Sequence, residues 1–396
     1  MKILGIESSC DDTSVALLKA GGGNFEILAE ITASQIEVHK KYGGVVPEIA
    51  GRKHAEKILP LIESVMEGQD KPNVIAVTSG PGLMTGLLVG IEATKTLSYL
   101  WDIPIVRVNH IEGHIYSTLI PSAVHPFAKG RTESRDLSKL KSNLFITSSV
   151  MPTASISKDS SPTARNDIAF PALCLIVSGG HTELILMKDY GKYELIGKTR
   201  DDAVGECFDK VAKLVGFDYP GGPMISKYAE NGNSESINFP RPMLKEGNFD
   251  FSFSGLKTSA LYWLKDNSKQ KSGFNTYNLK PKTLSDFCAS FETAITDVLV
   301  TKTIRAAKKY NPKTIILGGG VSANKKLKEL LQNEITKHCP LSTFYFPLST
   351  YSMDNATMIA ITGYYHSIKK NFTPWSKVEA DPNWKVYEKQ TLDVKK

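Results

Sequence analysis

Two histidines four residues apart are the first residues whose spacing indicates chemistry. They lie in the run Asn109-His110-Ile111-Glu112-Gly113-His114, directly after the apolar residues 103–108. On a helix, imidazoles at this spacing share a face and can bind one metal ion. A zinc protease needs its glutamate directly after the first histidine, whereas Glu112 lies two residues on, about 200° around a helix. The pair therefore indicates a metal that polarises a substrate, with an ordinary structural role for both histidines as the alternative.

A hard third ligand for such a metal could come from Asp354. This residue lies in Tyr351-Ser352-Met353-Asp354-Asn355-Ala356, where a loop meets a predicted helix. The same position could instead make it a plain helix N-cap. Two imidazoles and a carboxylate suit zinc and iron alike, whereas magnesium prefers oxygen ligands.

Four apolar strands end in small residues that would let backbone amides approach an anion. None of them matches the P-loop or the dinucleotide-binding fingerprint, which disfavours a Walker ATPase and a Rossmann dehydrogenase. Any one turn could be an ordinary strand–helix connection, but four in one chain favour a nucleotide cleft. The turns are residues 8–13, 79–82, 178–182 and 318–324.

A stripe of carboxylates is predicted on one helix. Asp202, Glu206 and Asp209 stand at i, i+4 and i+7, where like charges repel. This arrangement favours contacts from one or more of the three to ribose hydroxyls or a metal, and the alternative is a solvated acidic face.

The bulk composition predicts a two-lobed α/β protein. A chain of 396 residues exceeds the size at which one core stops growing. No apolar run approaches a membrane helix, and five scattered cysteines without C-x-x-C spacing read as reduced thiols. The net charge of +7 favours a polyanionic partner.

The organisation along the chain predicts two lobes and an insertion. Residues 1–118 with 350–396 form the first lobe, and residues 170–349 form the second. Residues 119–169 are a low-complexity insertion, at least partly disordered, because Ser, Lys, Pro and Thr dominate between 121 and 169. Periodicity predicts strands on both sides of residues 178–182, helices at 286–309 and 355–365, and a strand at 314–317.

Together these residues resemble the universal tRNA adenosine threonylcarbamoyltransferase family, the TsaD-type proteins, and more closely its mitochondrial branch. The resemblance covers nearly the whole chain outside residues 121–169 and the last twenty or so. The blocks that carry it are 5–13, 39–54, 79–83, the histidine pair, 177–182, 201–210, 219–222, 251–258, 318–324 and 352–356.

The resemblance implies an actin/Hsp70/sugar-kinase-like fold with a central nucleotide cleft. It implies that one divalent metal ion, zinc or iron with magnesium as a further option, is held by His110, His114 and Asp354. It also implies a set of residues in contact with an adenylate. These are Ile176, Val177, Ser178, Gly179, Gly180, Asp209, Gly222 and Asn324.

The implied activity is transfer of a threonylcarbamoyl group from threonylcarbamoyl-AMP to the N6 amine of the tRNA adenosine that follows the anticodon, with release of AMP. A separate synthase would supply the adenylate. The resemblance further implies a homodimer, with no membrane association, in the mitochondrial matrix or, as the alternative, in the cytoplasm. The rival functions are an actin-fold ATPase or phosphotransferase and a non-catalytic scaffold of a tRNA-modifying complex.

A basic strip is the candidate tRNA surface, and a solvated basic face is the alternative. The insertion is expected to serve as a flexible tether or a tRNA-facing loop. The strip consists of Lys40, Lys41, Arg52, Lys53 and Lys57 with Tyr42.

Overall fold

A computed structural model of the chain describes residues 1–120, 168–270 and 276–388. Of the insertion expected at 119–169, residues 121–167 lie outside these described residues, as do residues 271–275 and 389–396. The described part divides into two units. Unit 1 contains residues 1–37, 45–120, 168 and 354–388, and unit 2 contains residues 38–44 and 169–353 without 271–275.

The strands and helices of the described residues follow the chain in an α/β pattern. The strands are β1 (Lys2–Glu7), β2 (Asp12–Gly21), β3 (Asn24–Ser34), β4 (Val74–Gly80), β5 (Ile105–Asn109), β6 (Ala172–Val177), β7 (Thr182–Asp189), β8 (Lys192–Lys198), β9 (Lys269–Gln270), β10 (Tyr277–Asn278), β11 (Thr314–Gly318) and β12 (Thr343–Tyr345). The helices are α1 (Ile36–Lys40), α2 (Pro47–Met66), α3 (Met84–Trp101), α4 (His110–Tyr116), α5 (Val204–Leu214), α6 (Gly221–Ala229), α7 (Ser254–Asn267), α8 (Pro281–Tyr310), α9 (Lys325–His338) and α10 (Ala356–Ile368).

Each unit is built on a five-stranded mixed sheet, and the two sheets have the same plan. The sheet of unit 1 has the order β3-β2-β1-β4-β5, with an antiparallel meander of β1 to β3 and with β4 and β5 added in parallel. The sheet of unit 2 has the order β8-β7-β6-β11-β12, again a meander followed by two parallel strands. The α/β fold class predicted from the sequence is confirmed.

Close packing of α10 on β1 and β4 brings the start of this helix to the sheet of unit 1. A Cβ on Gly5 would lie 2.3 Å from the carbonyl oxygen of Ala356. Likewise, a Cβ on Gly363 would lie 2.4 Å from the Cβ of Ala76. Because real Cβ atoms do not approach so closely, both glycines allow the helix to lie directly on the strands.

Several sequence-predicted elements are present with shifted ends. The helix expected at 286–309 begins earlier, at Pro281, because a proline is well placed in a first helical turn. Residues 38–44, assigned from the sequence to the first lobe, belong to unit 2. There Lys40 Nζ lies 3.2 Å from a carboxylate oxygen of Asp218, and Gly43 packs against Lys213. Residues 350–353 also belong to unit 2, so the first unit resumes only at Asp354.

The five cysteines are all free, as the sequence predicts. Burial raises the pKa of every one of these thiols, well above the ordinary value for Cys10. A membrane-crossing helix is not found among the described residues.

Candidate metal centre and nucleotide-binding turns

The histidine pair lies on the short helix α4, whose start is fixed by Asn109. The side-chain Oδ1 of Asn109 accepts hydrogen bonds from the backbone N–H groups of Ile111 and Glu112, at 2.9 and 3.3 Å. This is an N-cap, and it satisfies donors that the first helical turn leaves without partners. The rings of His110 and His114 then lie on one face with centroids 4.6 Å apart, as their spacing predicts.

Asp354 reaches the same point from the far end of the chain. The expected alternative, that Asp354 caps α10, is wrong because Asn355 is the N-cap and accepts a hydrogen bond from Met358 N at 2.9 Å. Asp354 Oδ1 lies 3.5 Å from His110 Nε2 and 3.3 Å from His114 Nε2. All three residues belong to unit 1.

These three side chains fit a divalent cation. Their ligand atoms lie within 4.8 Å of one another. Metal–ligand bonds of 2.0–2.2 Å place neighbouring ligands of a tetrahedral ion about 3.3–3.6 Å apart, which matches both distances to Asp354. His114 is 1% exposed, its Nε2 faces only the carboxylate of Asp354, and its Nδ1 has no hydrogen-bond partner among the described residues. A buried imidazole in this state is the clearest sign that an additional ligand belongs there.

The charges around the site favour a cation. Burial alone would lower the pKa of His110, but Asp354 and Glu7 outweigh it and raise the pKa to about 9. The ring is therefore cationic without a metal, and a metal ion would take the place of the proton on Nε2. Burial lowers the pKa of His114, which keeps this ring neutral and leaves the lone pair of one ring nitrogen available to a metal.

A buried carboxylate behind His110 was not singled out from the sequence. Glu7, at the end of β1, is fully buried, and its Oε2 lies 3.0 Å from His110 Nδ1. With Nδ1–H directed at Glu7, the Nε2 of His110 is left for a metal. Burial disfavours the charged carboxylate, but His110 lowers the pKa of Glu7 below its ordinary value. The available signal was a glutamate that ends the apolar strand Ile3 to Ile6, because a buried charge needs a partner.

Glu112 points away from the histidine pair, as its position on the helix predicts. Its Oε2 lies 2.8 Å from His366 Nε2 on α10. The pair links α4 to α10, the helix that follows Asp354. Glu112 therefore has a structural role, because its contact holds these two helices together.

In unit 2, the turn after β6 presents open backbone at two glycines. A Cβ on Gly179 or Gly180 would meet nothing within 4 Å. Ser178 shapes the turn, because its Oγ accepts a hydrogen bond from His181 N at 3.1 Å and its carbonyl accepts one from Gly205 N at 3.1 Å. Ile176 and Val177 are fully buried, so only their backbone could reach a ligand.

The other sequence-predicted nucleotide residues connect to this turn through α5 and α6. Asp209 on α5 accepts hydrogen bonds from Gly221 N and Gly222 N, at 2.7 and 3.2 Å, at the start of α6. Asn324 follows β11, which pairs in parallel with β6. Parallel neighbours place the loops at their carboxyl ends at one sheet edge, where ligands of α/β proteins bind.

The side chain of Asn324 is held by protein groups on both sides. Its Oδ1 accepts a hydrogen bond from Leu327 N at 2.8 Å and caps α9. Its Nδ2 donates to Glu292 Oε1 at 2.7 Å and to Ser226 Oγ at 3.0 Å. Asn324 therefore shapes the sheet edge by fixing α9 and α6.

The glycine-containing turn 79–82 of unit 1 was predicted to face an anion, and this is wrong. A Cβ on Gly80 would lie 1.8 Å from the carbonyl oxygen of Asp381. A Cβ on Gly82 would lie 2.6 Å from the carbonyl oxygen of Ser9. These glycines admit neighbouring protein backbone instead of a ligand.

The hydroxyls of the turn 8–13 were also expected to face a phosphate, and they bond within the protein. Ser8 Oγ donates to Gly86 O at 2.9 Å, Ser9 Oγ lies 3.1 Å from His110 Nδ1, and Thr13 Oγ1 lies 2.8 Å from His54 Nδ1. The buried Asp12 lies in the same turn. Burial, and next the neighbouring Asp11, raise the pKa of Asp12 to about 8.

The carboxylate stripe is largely neutralised by lysines. Asp202 precedes α5 and forms ion pairs with Lys210, at 2.9 Å, and with Lys257. Glu206 pairs with Lys210 at 2.7 Å. Asp209 differs from the other two, because its carboxylate accepts hydrogen bonds from backbone at the start of α6. Asp202 and Glu206 therefore already have cationic partners within the protein, and the prediction that one or more of the three carboxylates contact ribose or a metal stays a prediction.

The basic strip is likewise paired in part. Arg52 lies 2.6 Å from Glu48 and Lys53 lies 2.7 Å from Glu56, and Lys40 has the contact to Asp218 noted above. Exposed pairs of this kind contribute little to stability and can exchange partners. The role of the strip in tRNA binding stays a prediction.

Comparison with known proteins identifies similar sequences along most of the chain. The sequence model described as TsaD, tRNA N6-adenosine threonylcarbamoyltransferase, matches residues 26–134 and 156–361. A protein of that name from Bacillus subtilis (strain 168) is 43% identical over 367 residues, covering 92% of this chain and 90% of the relative. Another from Kosmotoga olearia is 41% identical over 378 residues, covering 94% of this chain and 96% of the relative.

Solved structures with the same fold are much more distant in sequence. HypF from T. kodakarensis superposes with a TM-score of 0.51 at 11% identity, covering 92% of this chain and 47% of that one. A full-length HypF in a phosphate- and nucleotide-bound form gives 0.52 at 13% identity, covering 93% and 46%. The chain thus spans about half the length of these proteins. At this identity the likeness concerns the fold alone, and it agrees with the predicted actin and sugar-kinase class.

Proposed function

The chain belongs to the tRNA N6-adenosine threonylcarbamoyltransferase family and is a tRNA-modifying transferase, and we propose that its donor is threonylcarbamoyl-AMP. The acceptor is the N6 amine of the tRNA adenosine that follows the anticodon, and AMP is released. The family model covers more than half of the chain, and two relatives of this name are above 40% identity.

The proposal includes one divalent metal ion on His110, His114 and Asp354. Its support is the convergence of the three side chains together with the burial of His114, whose Nε2 faces Asp354. Zinc and iron both suit this donor set, and magnesium suits it less well. When bound, the metal would stabilise negative charge that develops on the carbamoyl oxygen of the donor. Glu7 orients His110 for this task through Nδ1.

The proposal places the AMP half of the donor in unit 2. Backbone at Ile176, Val177 and the turn Ser178 to Gly180 would approach it, because the two glycines leave open space there. Asp209 fixes the start of α6 at Gly222, and Asn324 fixes the start of α9. The N-termini of helices favour the negative charge of a phosphate.

The reaction balances without a redox partner. The N6 nitrogen of adenosine forms a bond to the carbamoyl carbon, and the bond from that carbon to the phosphate oxygen breaks. AMP leaves with the electron pair, and the amine nitrogen loses one proton. We assign none of the described side chains as the base that accepts this proton. The enzyme's contribution to this step is therefore the orientation of the two reactants.

The observation that carries the proposal is that Asp354 meets His110 and His114, which lie 244 and 240 residues earlier in the sequence. The test combines the purified chain with synthetic threonylcarbamoyl-AMP and unmodified tRNA, followed by mass analysis of the nucleosides. Threonylcarbamoyladenosine should form in step with AMP. Product without any protein-dependent acceleration would refute the assignment.

A matched pair of variants separates the metal from the fold. His114→Ala should lose both metal and transfer activity, whereas His338→Ala, a histidine on α9 that pairs with Glu334, should keep both. The ATPase alternative is tested in the same assay, because it requires ATP turnover without tRNA. Full transfer by metal-free His114→Ala would disprove the role of the metal.

The partners and location complete the proposal. A separate synthase would supply the adenylate, and the active form would be a homodimer, as the resemblance to the mitochondrial branch implies. Light scattering of the purified chain tests the dimer directly. The proposed location is the mitochondrial matrix, which imaging of the tagged full-length protein would test against the cytoplasm.

A further inference from the structure

The segment 378–384, called here the C-terminal brace, packs tightly on the loop 79–82. Val378 is fully buried in the core of unit 1. Asp381 N donates to Ser79 O at 2.7 Å, and Gly82 N donates to Pro382 O at 3.3 Å. The absence of a side chain on Gly80 lets the carbonyl of Asp381 approach. Backbone of the brace therefore lies directly against backbone of the loop.

The brace also reaches the helix that carries the histidines. Asn109 Nδ2 donates to the carbonyl oxygen of Trp384 at 3.0 Å, while its Oδ1 caps α4. The indole ring of Trp384 lies under the guanidinium of Arg107, 5.1 Å from the ring centroid. The side-chain amide of Asn109, the residue immediately before His110, thus joins the brace to the start of α4.

A second route leads from the brace to the same histidine. Ser79, held by Asp381, follows Thr78, whose hydroxyl donates to Glu7 Oε2 at 2.7 Å. The same carboxylate oxygen lies 3.0 Å from His110 Nδ1. The brace therefore contacts the helix cap Asn109 directly, and it contacts Ser79, which adjoins the partner of the Glu7 carboxylate.

We propose that the C-terminal brace is a positioning element of the metal centre, acting on His110 through Asn109. The inference rests on the proposed metal site and goes beyond it, because residues 378–384 lie after the end of the family match at residue 361. A merely structural cover would stabilise unit 1 without affecting how the site holds a cation. The two roles make different predictions for metal affinity.

The test uses the full chain and cobalt as the probe metal. Asn109→Ser retains a capping hydroxyl but is too short to reach the carbonyl of Trp384. Trp384→Ala removes the ring beneath Arg107. The matched control is Lys385→Ala. Lys385 is exposed, lies next to the brace in the sequence and pairs with Glu388. Chelator competition gives the dissociation constant, and the visible spectrum of bound cobalt reports the ligand geometry.

We expect a 10- to 100-fold weaker cobalt affinity and an altered spectrum for Asn109→Ser, because loss of an orienting partner has effects of this size. Lys385→Ala should match the wild type. Wild-type affinity and spectrum in Asn109→Ser would overturn the proposal, even with a lower melting temperature. If Trp384→Ala fails to fold, Asn109→Ser decides alone.

Failure of the proposed metal site is distinguishable from failure of the brace. If the wild type binds no cobalt, the metal site is wrong, and amide hydrogen exchange of metal-free protein then tests the brace. The peptide 109–116 should exchange faster in Asn109→Ser than in Lys385→Ala. Equal exchange in the two variants would overturn the positioning role.

Discussion

Replacing Glu7 by glutamine tests whether an orienting carboxylate is needed behind the metal site. Three groups converge on this fully buried side chain: Ser9 N lies 2.6 Å from Oε1, and Thr78 Oγ1 and His110 Nδ1 lie 2.7 and 3.0 Å from Oε2. Glutamine has the same shape but carries an NH2 group at one of the two positions. That group must then face either the Ser9 amide or the pair of donors at Oε2.

The expected magnitude follows from these contacts. If the NH2 group faces Ser9 N, two donors oppose each other, and a buried unsatisfied donor costs about 1–3 kcal/mol of stability. If it faces His110, the imidazole loses the acceptor that holds its orientation. Loss of such a partner typically weakens metal binding 10- to 100-fold, which is about 1.4–2.7 kcal/mol.

The assay is chelator competition with zinc, combined with urea unfolding of the metal-free protein. Glu183→Gln is the matched control, because it makes the same chemical change at a largely buried glutamate on β7 in the other unit. We expect the control to bind zinc normally. A dissociation constant for Glu7→Gln within twofold of the wild type would refute the reasoning, because the orientation of His110 would then not depend on Glu7.

Three further predictions follow from other contacts. Gly180→Ala should melt like the wild type, because a Cβ there meets open space, yet bind AMP about tenfold more weakly by calorimetry. Burial would lower the pKa of His366, but Glu112 outweighs this effect and raises it. The His366–Glu112 pair therefore stabilises the fold fully below about pH 6.5, and this stabilisation is lost as the pH rises through the raised pKa. Glu112→Gln should therefore unfold more easily than the wild type at pH 6, by about 1.5–3 kcal/mol, with the gap closing at alkaline pH. The folded state holds a proton on Asp12 up to its pKa of about 8, whereas the unfolded state loses this proton near pH 4. Wild-type stability should therefore fall as the pH rises from about 4 to about 8. In Asp12→Asn, the melting temperature should fall less over the same range.

Local sequence patterns were sufficient for the elements that carry the site. The spacing of His110 and His114 fixes a shared face as soon as α4 forms, and the apolar runs around residues 178–182 give the pair β6 and β7. Residues 38–44 group with unit 2 instead of the first lobe, and nothing local says which unit a short segment packs in. Its contacts, such as Lys40 with Asp218, join residues far apart in the sequence.

Glycine-rich turns show where sequence reasoning reaches its limit. Gly80 ends β4 and Gly180 lies in the turn after β6, and neither has a Cβ to block an approaching group. At Gly180 the space stays open, whereas at Gly80 the backbone of Asp381 fills it. The residue type predicts that something comes close but not whether it is a ligand or the protein itself. Glu7 was missed for a related reason, since its partner His110 is more than 100 residues away.

The state of the native thiols has a practical consequence for spectroscopy. With each pKa raised by burial, Cys10, Cys174, Cys207, Cys288 and Cys339 all hold little of the reactive thiolate at neutral pH. A single cysteine introduced at an exposed position such as Lys385 should therefore be alkylated selectively by a fluorophore or spin label. Distance measurements to the C-terminal region could then be made in a background that retains all five native sulfurs.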